Sequence, residues 1–223
     1  MATFVLIHGA GDVGWYWHLV ERELRARGHD VVAPDLPCED DSAGLPEYAD
    51  AVVDAIGERR ELIVVAQSFG AFTAPLLCKR VPVQLLVLLA ALVPAPGEAP
   101  RDWWANTGYE PVHGPWSGGV RAVFYHDVPP ALAAEALKRG RGQSDTPTEQ
   151  PWPLEAWPDV PTRFLLCRDD RLLPAEFLRR VVRERLGIVP DEIDGGHCVA
   201  LSRPKELAAR LHAYCTGSSL ADS

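Results

Sequence analysis

The chain has 223 residues, the size of one domain with a modest insertion. Apolar residues make up 47% of it, enough for a full core, and 22 basic against 31 acidic residues leave a net charge of −9. That balance argues against a nucleic-acid surface, and the longest apolar runs, such as Leu85 to Val93, are too short to cross a bilayer.

The chain enters directly into an apolar run, Phe4-Val5-Leu6-Ile7, with no cationic leader or cleavage site, which points to a cytoplasmic location. Short apolar runs then alternate with longer amphipathic ones. Strands are predicted near 3–7, 30–34, 61–66, 84–90, 162–167 and 188–193, and helices near 15–27, 46–59, 69–80, 175–186 and 203–214. The alternation predicts an α/β fold: a mostly parallel, doubly wound sheet of about six strands with helices on both faces. In the fourth helix Phe177, Val181 and Val182 share one face and arginines the other. Ser202-Arg203-Pro204 reads as a helix start, with proline near its first position. Residues 216–223 are small and polar and read as a flexible tail.

Residues 97–158 break the alternation and separate a core of 1–96 and 159–215 into two stretches. They hold many prolines and five of the seven tryptophans: Trp103, Trp104, Trp116, Trp152 and Trp157. Ala131 to Leu137 reads as a short helix. A connector this long without function is uncommon, so the segment is expected to be a cap rather than a proline-rich connector whose tryptophans merely pack it down. Its aromatic side chains, Trp103, Trp104 and Trp152 first, are expected to line a site for an apolar substrate. The cysteines Cys38, Cys78, Cys167, Cys198 and Cys215 lack metal-type spacing and read as reduced thiols.

Three residues carry candidate chemistry. Ser68 lies in Ala66-Gln67-Ser68-Phe69-Gly70, directly after the apolar run Leu62-Ile63-Val64-Val65. A strand that ends in small-x-Ser-x-Gly and enters a helix makes a strained turn that lifts the hydroxyl clear of its own backbone. Asp169 and Asp170 follow the apolar run Phe164-Leu165-Leu166-Cys167, and His197 follows Gly195-Gly196. A serine hydroxyl is a poor nucleophile until a histidine takes its proton, and that histidine needs a carboxylate to orient it. His8 sits in His8-Gly9-Ala10-Gly11 after the first strand, and Asp12, just beyond, reads as a solvated turn residue. His18, His29, His113, His126 and His212 have no comparable setting.

Taken together, four stretches resemble the α/β-hydrolases, in particular the compact branch of plant methyl-ester esterases and hydroxynitrile lyases with related small bacterial hydrolases. They are His8 to Trp17, Arg27 to Pro37, the serine turn, and Cys167 to Pro204. The resemblance implies a serine hydrolase with the order Ser68, Asp170, His197. Asp170 is preferred to Asp169 because the esterases carry the acid fourth in a Cys-x-x-Asp turn followed by proline, here Cys167 and Pro174. It also implies an oxyanion hole from the backbone N–H groups of Ala10 and Phe69, and a bracing role for His8. Ala66 departs from the glycine usual in this turn. The implied activity is a carboxylesterase acting through an acyl-enzyme on a small-molecule ester, without metal or organic cofactor. The implied rivals are a lyase and a non-hydrolytic ligand-binding protein on the same scaffold. Against the lyase, this chain has Gly9 where the lyases carry threonine and Cys198 where they carry lysine.

Overall fold

A computed structural model describes residues 1–109 and 118–217; Trp116, His113 and the end of the tail lie outside the described residues. Six strands, β1 (Thr3–Ile7), β2 (Asp30–Val32), β3 (Leu62–Gln67), β4 (Val83–Leu89), β5 (Thr162–Cys167) and β6 (Asp191–Ile193), form one parallel sheet in the order β2-β1-β3-β4-β5-β6. Successive residues face opposite sides, and both sides are covered, so the strands read as unbroken apolar runs. Val5, Ile7, Val64 and Ala66 pack on one face with Tyr48, Val52 and Val181. Phe4, Leu6, Ile63 and Val65 pack on the other with Trp17, Leu24 and Leu211. Each fully buried aliphatic side chain contributes about 1.5–3 kcal/mol.

The helices are α1 (His18–Ala26), α2 (Leu45–Ile56), α3 (Trp103–Asn106), α4 (Gly119–Phe124), α5 (Pro130–Arg139), α6 (Thr146–Glu149), α7 (Ala175–Leu186), α8 (Val199–Ser202) and α9 (Pro204–Thr216). Four of them, α3 to α6, lie between β4 and β5, in the stretch that breaks the sequence pattern.

Two sequence expectations need correction. The helix expected over 69–80 is two 3₁₀ turns, Ser68–Phe72 and Ala74–Lys79. Pro75 has no N–H to give the carbonyl of Ala71, so an α-helix cannot run through this point. Ser202 does not start the last helix. It closes α8, Arg203 takes the cap position of α9, and the Ser202 hydroxyl is buried without a partner among the described residues.

Parallel pairing brings the carboxyl ends of the central strands out on one edge. Ile7 of β1 pairs with Ala66 of β3, and Gln67 of β3 with Leu89 of β4. The loops that follow β1, β3, β5 and β6 therefore emerge side by side, the usual place for a ligand in an open α/β sheet. Among the described residues no helix is long and apolar enough to cross a membrane.

Candidate active site

Ser68 follows β3 directly and has a backbone φ of +52°, a left-handed conformation that costs a non-glycine residue energy. The turn is held from both sides. The Ser68 carbonyl accepts the N–H of Leu92 beyond β4 at 3.1 Å. Gly70 lies against the end of β1, where a Cβ would come within 2.8 Å of the His8 carbonyl oxygen. Only glycine allows so close an approach. Ala66 sits fully buried in the core at the end of the same strand.

Asp170 and His197 leave β5 and β6 and meet. The Nδ1–H of His197 donates to Oδ2 of Asp170 at 2.7 Å, and both side chains are almost wholly buried. An ionised carboxylate only accepts, so the ring proton is on Nδ1 and Nε2 is left as an acceptor. The other Asp170 oxygen accepts the N–H groups of Leu172 and Leu173 at 2.8 and 2.9 Å. Asp169 turns instead toward the loop after β6, where its carboxylate accepts the N–H of Gly195 at 3.1 Å. Of the adjacent pair, Asp170 is the one that touches the imidazole.

His8 is wholly buried below the loop that carries Ala10. Its Nδ1–H donates to the Gly9 carbonyl at 2.8 Å and its Nε2 accepts the Leu36 N–H at 3.0 Å. Burial pulls its pKa down to about 4, so the ring is neutral and both contacts persist at neutral pH.

Above these groups lies a cavity of about 960 Å³, lined by Ser68, His197, Ala10 and Phe69 from below. The 97–158 stretch supplies much of its roof, including Trp104, Phe124, Tyr125, Leu137 and Gln143. Trp104 is the one of the three singled-out tryptophans that lines it. Trp103 and Trp152 are instead buried in the main core, where their indole N–H groups donate to the carbonyls of Val93 at 2.8 Å and Phe72 at 3.0 Å. They fasten the two ends of the stretch to the loop after β4 and to the turn after β3. Local sequence shows tryptophan density but not which rings a long-range contact will claim.

Two further residues at the site were not legible in the sequence. Asp12, expected in solvent, lines the cavity instead. The segment 141–143 docks on its neighbour Gly11, whose carbonyl accepts from Arg141 N–H and whose N–H donates to Gln143. Burial raises the Asp12 pKa to about 6. Asp127, from the turn between α4 and α5, accepts the N–H of Gly196 at 2.7 Å, next to His197. Beside it, His126 Nε2–H donates to the Asp169 carbonyl at 3.0 Å. Among the described residues no group of three or more His, Cys, Asp or Glu side chains is placed to hold a metal ion.

A six-stranded parallel sheet with these loops along one edge defines the class. The alpha/beta hydrolase family model matches residues 4–210, and the chain belongs to that family. The relatives include esterases and a hydroxynitrile lyase. Over 253 residues the chain is 21% identical to methylesterase 1 of Arabidopsis thaliana, covering 92% of both proteins. Over 249 residues it is 24% identical to the alpha-hydroxynitrile lyase of the same plant, covering 96% of each. The crystal structure of polyneuridine aldehyde esterase is similar with a TM-score of 0.81 at 19% identity, covering 96% of this chain and 99% of that one.

Proposed function

We propose that this chain is a serine carboxylesterase for small to medium, largely apolar esters. The observation that carries the reading is the convergence of a strained Ser68 turn and an oriented His197–Asp170 pair on one cavity. His197 takes the Ser68 proton at Nε2 as the oxygen attacks the ester carbonyl, and the N–H groups of Ala10 and Phe69 receive the oxyanion. The imidazolium, stabilised by Asp170, protonates the departing alcohol. Water, deprotonated by the same nitrogen, then releases the acid and restores Ser68. Phe69, Leu92, Phe124 and Leu172 give the cavity its apolar walls.

The sequence of this site favours hydrolysis over cyanohydrin cleavage. A Cβ at Gly9 would lie 2.5 Å from Gln67 Oε1, so the threonine of the lyases does not fit without moving that side chain. At the other lyase position Cys198 is wholly buried, which pushes its thiol well up and leaves it neutral. It supplies no cation for a departing cyanide.

The test is hydrolysis of p-nitrophenyl acetate and butyrate with labelling by a serine-directed phosphonate. Ser68→Ala is expected to lower turnover at least about a thousandfold while keeping the fold, and to abolish the label. Cyanohydrin cleavage without ester hydrolysis, or normal turnover in Ser68→Ala, would refute the proposal.

A further inference from the structure

Asp12 is a charge without a counter-charge. Its Oδ1 accepts the N–H of Val13 at 2.8 Å, and among the described residues its other oxygen has no hydrogen-bond or ion-pair partner. The two arginines that line the same cavity are committed elsewhere. Arg141 pairs with Asp35 at 2.6 Å and Arg101 with Glu149 at 2.9 Å. The remaining walls are largely aromatic and aliphatic. An isolated carboxylate in such surroundings is costly unless something positive joins it. Beside Ala10 it is also ill placed electrostatically, since an anion there opposes the oxyanion that the loop is proposed to receive. A cation delivered by the substrate removes both penalties at once.

We infer that Asp12 is a specificity-determining residue that selects esters carrying a positively charged nitrogen, as an ammonium or quaternary ammonium group. The inference rests on the esterase reading for its kinetics but not for its binding. The groups that face Asp12 leave it the switchable charge that distinguishes such a substrate. Tyr16, Tyr125 and Cys198 are held neutral by burial, which also raises the Cys38 thiol; Asp35 is engaged by Arg141; and His197 belongs to the Asp170 pair. Asp12 itself, raised to about 6, is ionised at pH 8 and protonated at pH 5.

The test compares butyrylcholine with 3,3-dimethylbutyl butyrate, in which carbon replaces the charged nitrogen. The readout is the ratio of their kcat/KM values, in which any effect common to both esters cancels. At pH 8 the ratio is expected to exceed about tenfold, a modest yield for one partly desolvated ion pair. It should fall toward one in Asp12→Asn, and in the unaltered protein as pH drops through about 6. A ratio near one at pH 8, or an equal ratio in Asp12→Asn, overturns the inference and leaves the esterase reading intact. The second of these is what a role in merely steadying the His197 cation would give. If neither ester is hydrolysed, calorimetric binding of butyrylcholine decides. Binding to Ser68→Ala that is lost in Ser68→Ala/Asp12→Asn keeps the inference while the esterase reading fails. No binding to Ser68→Ala, or equal binding to both proteins, overturns it.

Discussion

The floor and the roof of the cavity are built by different means. The floor is backbone: loops leave β1, β3, β5 and β6 along one edge, and the side chains of Ser68, Asp170 and His197 point where register and turn geometry send them. The roof is held largely by side chains. Two indole hydrogen bonds, from Trp103 and Trp152, and a buried pair between Glu98 and Arg185 at 2.7 Å fasten it to the loop after β4, the turn after β3 and α7. Between those fastenings short helices present whatever residues the cavity needs. A floor fixed by the sheet resists change in its chemistry. A roof fixed by a few anchors tolerates change in what it selects.

The strongest way to break the comparison is within the floor. Asp170→Asn, which turns an acceptor into a donor toward Nδ1 of His197, should cost turnover about a thousandfold or more. Asp169→Asn, which keeps an acceptor oxygen for the Gly195 N–H, should cost about tenfold at most. Steady-state kinetics on both variants check this, and the reverse order would reassign the acid.

The next test separates anchor from lining within the roof. Trp103→Ala empties a fully buried site and should destabilise the protein by about 3–5 kcal/mol in denaturant unfolding. Trp104→Ala should cost far less stability while shifting preference toward bulkier esters, because its ring lines the cavity. Equal losses of stability in both would mean that the roof has no separate lining layer.

The smallest effect is one of pH, and it sets two residues of one loop against each other. Burial holds His8 at about 4, below its ordinary 6.5, so as pH falls through that window the unfolded chain gains a proton that the native state refuses. Native stability falls accordingly. Asp12 is raised from 3.8 to about 6, so the native state gains its proton first and stability rises as pH falls from about 6. Asp12→Asn is neutral throughout. It should raise the melting temperature by a few degrees at pH 8, where the native carboxylate is ionised, and lose that advantage by pH 4. A thermal scan across this range, with equal gains at both ends, would show that charge burial is not the cause.

How far the sequence revealed the molecule follows the same division. The six strands were legible because apolar runs are local and the strand ends inherit their alignment from the sheet, whereas the choice of Asp170 over Asp169 as the partner of His197 came from the resemblance to the esterases and not from the local sequence alone. Within the floor, the error over 69–80 came from giving apolar spacing more weight than Pro75. In the roof, Trp103 and Trp152 read as lining because tryptophan density is local, whereas the carbonyls that claim them belong to Val93 and Phe72. Asp12 read as solvated because the segment that docks beside it, on Gly11, lies about 130 residues further along the chain. Nothing local marks Asp127, whose partner Gly196 lies 69 residues away.

That contact has a consequence for anyone who would transplant specificity by exchanging 97–158 for the matching stretch of a relative. The Gly196 N–H next to His197 finds its acceptor on Asp127, within the piece to be removed. A graft that brings new walls but no acceptor at this point leaves a donor unsatisfied in the loop that aims the imidazole, at a cost of about 1–3 kcal/mol. Such a chimaera would acquire a new pocket and a misaligned base together. A side chain able to accept at position 127 is therefore the minimum a donor sequence must carry for the exchange to report on specificity alone.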